Sequence, residues 1–116
     1  MKAFLIFLAL VFCVAANLLL PAFINFPPWY SFVVHFAVGG VLFSYFVACF
    51  YPRPIEILAG DALGGVLWEV FEYWYSQGEA AFSGNGAWFY QDTIWDFQMN
   101  LFGAIIVALI YYVKRI

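Results

Sequence analysis

Four apolar stretches, each close to the roughly 20 residues that cross a bilayer core, leave little of this chain for anything else. They run at about residues 3–23, 29–51, 55–75 and 93–113. Pro27 and Pro28 precede the second, and Pro52 and Pro54 separate it from the third, so these joints read as tight turns. The segment from Ser76 to Gln91 is longer and holds Gly78, Gly84 and Asn85-Gly86, which signal irregular backbone. In a chain of 116 residues that is 67% apolar and 9% charged, with a mean hydropathy of +0.94, no water-soluble core can enclose so many Phe, Leu and Val side chains. The expected fold is all-α: a single domain over 1–116, an integral membrane four-helix transmembrane bundle with the lipid bilayer as its solvent.

Lys2, the apolar run behind it and the small residues Ala15 and Ala16 have the elements of a signal peptide. The run continues to about Phe23, longer than a usual signal core, and Phe12 before Cys13 does not suit a lipoprotein site, so we read a first span. The basic residues Lys2, Arg53, Lys114 and Arg115 then fall on one side. The positive-inside rule puts both termini in the cytoplasm, as expected of a multi-pass protein of the cell's inner membrane. Trp29, Trp74, Trp88 and Trp95 gather at the outer interface, where amphipathic rings are enriched. A net charge of −3 and the lack of a basic run argue against a nucleic-acid partner. Cys13 and Cys49 lie in apolar stretches without a CxxC or metal spacing and read as small packing residues. Gly40, Ser44 and Ala48, and Gly60 with Gly64, form small-residue stripes that let helices approach closely.

The informative residues are the acids and amides inside the spans, because a charge at the bilayer centre costs at least about 2.5–3.5 kcal/mol. At about 100° per residue, Asp61, Gly65, Glu69 and Glu72 share one stripe of the third span. Asp92, Asp96, Asn100 and Gly103 share one stripe of the fourth. Neither stripe can face lipid cheaply, so each is expected to face the other or a common cavity. Counted inward at about 1.5 Å per residue, His35, Glu69, Glu72, Asp92, Asp96, Asn100 and Asn17 lie within roughly the outer 12 Å. Asp61 lies deeper by one to two turns. Four carboxylates at one depth cannot all be ionised without compensation. A divalent cation held by His35, Glu69, Glu72, Asp92 and Asp96, with Asn17, Asp61 and Asn100 in support, supplies it; oxygen donors with one imidazole suit Mg, Ca, Mn or Zn. The alternative is a protonated, hydrogen-bonded network that fixes helix register.

The pattern of His35, then Gly64-Gly65-Val66-Leu67-Trp68-Glu69-Val70-Phe71-Glu72, then Gln91-Asp92-Thr93-Ile94-Trp95-Asp96-Phe97-Gln98-Met99-Asn100-Leu101-Phe102-Gly103-Ala104 resembles small bacterial inner-membrane proteins of the YjdF type. More loosely it is similar to VanZ-type proteins, which share a Glu on one helix and a D-x-x-x-N-x-x-G segment on the next. The likeness covers the last three spans, and it implies a bacterial inner-membrane location and a role at the cell envelope without an agreed reaction.

Two readings of function follow. In one, the outer-leaflet cluster holds a divalent cation and binds or acts on a lipid or envelope headgroup; hydrolysis by metal-bound water is the default chemistry, with Asp96 or Glu69 as ligands and Glu72 as base. In the other, the chain is a non-catalytic accessory subunit, packed against a larger membrane complex or against its own copies. An ion or proton carrier is disfavoured, since the inner half offers Asp61 alone. The orientation has a direct check: a cysteine placed at Ser83 should react with an impermeant thiol reagent in intact cells, and labelling only after permeabilisation contradicts it.

Overall fold

The prolines decide where the helices stop. The structure, a computed structural model, describes residues 2–20, 29–75 and 86–114, with the side chains of residues 18, 31, 72, 75 and 86–93 outside the description. Helix α1 is Lys2–Leu19. Helix α2, residues 30–50, is continuous but not uniform: Tyr30–Val34 and Phe43–Phe50 are α-helical and His35–Leu42 between them is a π-helix. It ends at Phe50 because Tyr51 precedes Pro52, whose ring disfavours helical backbone in the residue before it; Tyr51 sits at φ −135°, ψ 80°. Helix α3, Pro54–Tyr75, then opens on a proline, the residue that loses nothing in the first turn. The Ile57 amide donates to the Arg53 carbonyl at 2.9 Å to close that turn. Helix α4 is Gly86–Lys114.

Among the described residues the chain is helical apart from Trp29 and the Tyr51–Arg53 joint, with no strand. Two of its helices, over Phe32–Phe50 and Ile94–Lys114, are long and apolar enough to cross a membrane. Helix α1 is apolar but shorter, and α3 carries Glu56, Asp61, Glu69 and Glu72 along its length.

Two expectations are corrected. The fourth helix begins at Gly86, not near residue 93, so the back part of the expected Ser76–Gln91 loop is helical. The glycine and Asn-Gly signals end at Gly86, and nothing after it opposes a helix. The second span was expected to be plain α-helix, whereas the Phe43 amide donates to the carbonyl of Val38, five residues back, as well as to that of Gly40. Gly39 and Gly40, the weakest helix formers in the segment, lie in this wider turn. The expected end of the first span at residue 23 falls outside the described residues.

Helix α4 packs along both α2 and α3, α2 packs against α3, and among the described residues α1 packs on α2 alone. The closest approach is backbone against backbone. A Cβ on Gly103 would lie 2.6 Å from the Gly40 Cα and from the Phe36 carbonyl oxygen, and one on Gly40 would lie 2.7 Å from the Gly103 Cα. Across α2 and α3 the contacts are with side chains instead, Val47 seated on Gly60 and the Phe43 ring on Gly64. Toward the basic end the three helices close on Ala48, Ile57 and Val107, with Val41, Tyr45 and Tyr111 around them. Cys13 and Cys49 are free, partly buried thiols.

The crossing makes a sharp prediction. Gly103→Ala should destabilise the protein by about 1–3 kcal/mol, because backbone cannot move aside as a side chain can. Leu101→Ala, on the exposed face of the same helix, should change stability by less than about 1 kcal/mol. Thermal melting of the two purified variants checks the contrast; equal melting temperatures would refute the close crossing.

Candidate metal site

The buried stripes of the three packed helices are polar where they meet. Ser44, Asp61, Glu69, Asp96 and Asn100 are buried, while Leu63, Leu67, Val70, Phe102, Ile106 and Leu109 face outward. On α3 the inward positions recur every four residues, as Ile57, Asp61, Gly65 and Glu69. On α4 they are Asp96, Asn100, Gly103, Ala104, Val107 and Ala108. These are the spacings that put side chains on one face of a helix.

At the end of the column away from the basic residues, three helices each deliver one group. His35 comes from the start of the π-helical segment of α2, Glu69 from α3 and Asp96 from α4. His35 Nε2 lies 3.2 Å from Asp96 Oδ2. One donor atom from each of the three lies within 4.8 Å of the others. Ligand bonds of about 2.0–2.6 Å place opposite donors about 4–5 Å apart, so one ion can bridge this gap. Glu69 is 7% exposed and Asp96 1%, and the His35 side chain is 13% exposed.

One turn deeper on all three helices stand Gly39, Gly65 and Asn100, each four residues from its partner in the cluster above. The Asn100 amide fills the space that side chains on the two glycines would take. Its Oδ1 would collide with a Cβ on Gly39, and its Nδ2 would lie 3.3 Å from one on Gly65. Asn100 Oδ1 is buried and accepts no hydrogen bond from the described residues. It forms a polar floor beneath the His35, Glu69 and Asp96 cluster. Deeper again, Ser44 Oγ donates to Asp61 Oδ2 at 2.9 Å, joining α2 to α3. The apolar layer of Ala48, Ile57 and Val107 follows.

Of the residues named from sequence, the structure brings together His35, Glu69 and Asp96, with Asn100 below them. Asp61 sits two turns from Glu69 and is engaged by Ser44. Asn17 is engaged elsewhere: its Nδ2 donates to the Cys13 carbonyl at 2.8 Å, and the Tyr30 hydroxyl donates to its Oδ1 at 3.1 Å. The side chains of Glu72 and Asp92 lie outside the described residues. Sequence reasoning missed Ser44 as a polar partner, taking it for a packing residue. Depth held the signal, since Ser44 and Asp61 are six and seven residues from the same end of their helices. Gly39 and Gly65 were likewise not read as the walls around Asn100.

No family model, no curated protein and no solved structure matches this chain.

Proposed function

We propose that this chain is a four-span protein of the inner membrane, with both termini cytoplasmic, that holds a divalent cation between His35, Glu69 and Asp96 at outer-leaflet depth. The observation that carries the reading is the convergence of an imidazole and two carboxylates, one from each of three helices, in a buried site. Two ionised carboxylates in low dielectric need two positive charges. An imidazolium supplies one, whereas a divalent cation bound by neutral His35 supplies both. One nitrogen and two oxygen donors suit zinc or manganese better than a soft metal.

The spanning reading is supported by the inverted distribution of side chains, apolar outside and polar within, which is stable where the surroundings are apolar. Trp29, Trp74 and Trp95 are exposed at one end, and Tyr51 and Tyr112 at the other, as expected of rings at two membrane interfaces. Lys2, Arg53 and Lys114 sit at the second end, which the positive-inside rule assigns to the cytoplasm.

Three protein ligands leave a coordination position for water or for an oxygen of a lipid or envelope headgroup. His35, the most exposed of the three, marks the side from which that ligand enters. Asn100 closes the opposite side with a carbonyl oxygen able to accept a hydrogen bond from bound water. His35, Glu69 and Asp96 fall within the sequence pattern that resembles YjdF-type proteins.

Melting the detergent-purified protein with and without zinc or manganese tests the site. A ligand at about 100 times its dissociation constant stabilises by about 2.7 kcal/mol, and Glu69→Gln and Asp96→Asn should each abolish that gain. A melting temperature indifferent to added ions and to chelator, with both variants as stable as the parent, would instead favour a hydrogen-bonded network in an accessory subunit.

A further inference from the structure

Asn100 is 5% exposed, and its Oδ1 accepts no hydrogen bond from the described residues. A buried amide oxygen left so costs about 1–3 kcal/mol, so the place beside it suits a ligand that donates. The surroundings fix where that donor stands. Beneath the amide the α2 and α4 backbones touch: a Cβ on Gly40 would lie 2.7 Å from the Gly103 Cα and 2.8 Å from the Asn100 carbonyl oxygen. Toward α3 the Phe97 ring crowds Gly65 more closely than the amide does, 3.1 Å against 3.3 Å from a Cβ there. Side chains of a helix lean toward its N-terminus, so Asn100 leans toward Asp96, one turn before it on α4. The side left for a donor faces His35, Glu69 and Asp96.

Charge restricts that donor further. A neutral His35, the carboxylates of Glu69 and Asp96 and one divalent ion sum to zero, so an added anion would bury a net charge. Phosphate sites offset that charge with Arg or Lys. Here Lys2, Arg53, Lys114 and Arg115 are the chain's only such residues, and the first three sit at the opposite end of the bundle. The sequence between α3 and α4 carries Glu79 and neither Lys nor Arg.

We infer that the open position of the cation takes a neutral hydroxyl group, as borne by a glycerol or sugar headgroup, rather than a phosphate or carboxylate oxygen. The hydroxyl oxygen binds the ion and its O–H donates to Asn100 Oδ1. An alcohol meets both demands, whereas a phosphodiester oxygen has a lone pair for the ion and no proton for the amide. Asn100 is then the residue that sets which headgroup is accepted. The inference rests on the cation reading proposed above and names the class of its ligand.

The test uses the whole protein loaded with manganese, in a detergent free of hydroxyl and phosphate groups. Glycerol deuterated at carbon and dimethyl phosphate are added to separate samples at the same concentration. Pulsed electron paramagnetic resonance reads deuterium from the first, which tells it from water, and phosphorus from the second. Deuterium coupling should appear with glycerol and no phosphorus coupling with dimethyl phosphate. Asn100→Leu should lower glycerol occupancy about tenfold, the loss of one hydrogen bond, while imidazole nitrogen coupling to the ion persists. Phosphorus coupling in the parent overturns the proposal, as does a parent that shows no deuterium coupling and so holds water alone. Glycerol occupancy unchanged in Asn100→Leu overturns it too. Each of these results leaves the cation reading intact if nitrogen coupling is present; manganese without nitrogen coupling overturns both. If Asn100→Leu fails to fold, the contrast between glycerol and dimethyl phosphate in the parent decides alone.

Discussion

The organising constraint in this molecule is that its polar side chains have nowhere to go but inward. An exterior of Phe, Leu, Ile and Val leaves Ser44, Asp61, Glu69, Asp96 and Asn100 enclosed where α2, α3 and α4 meet. In water the same arrangement would be upside down, because apolar surface would remain exposed while polar groups lost their hydration. In lipid it is the economical one, since a carboxylate facing hydrocarbon costs more than one facing another polar group. Helix choice follows from this: α3 and α4 must adjoin, and α2 must join them on the face that carries His35 and Ser44.

Close packing makes the polar interface workable. Gly40 against Gly103 brings the α2 and α4 backbones into contact, and that contact puts the neighbouring turns within reach of one another. Gly39 and Gly65 leave a slot that the Asn100 amide occupies. The π-helical stretch from His35 to Leu42 belongs to the same device. It adds residues per turn where the glycines sit, which sets the direction in which His35 projects relative to Ser44 further along. Local widening of a helix recurs at functional sites, and here it begins at the residue that supplies the imidazole.

Much of this was legible in the sequence, for reasons that can be named. Long apolar stretches mark the helices, and Tyr51 before Pro52 stops α2 and Pro54 starts α3 as their backbone chemistry dictates. The convergence of Glu69, Asp96 and His35 followed from stripe and depth together. Depth alone misled for Asn17, because it does not say which helix stands beside which, and α1 meets only α2 among the described residues. The early start of α4 was hidden by reading turn signals past Gly86, where they stop. The π-helical segment leaves no distinctive mark on an apolar run, since its two glycines, Gly39 and Gly40, read equally as a close-packing site in an ordinary helix.

The central claim is that the cluster is a cation site and not a hydrogen-bonded clasp, and the imidazole separates the two. Pulsed electron paramagnetic resonance of the purified protein loaded with one equivalent of manganese reads nitrogen in the ion's coordination shell directly. The account predicts modulation from a single imidazole nitrogen that disappears in His35→Gln while the folded protein persists. Manganese bound without nitrogen coupling, or a signal indistinguishable from the free aquo ion, would contradict it.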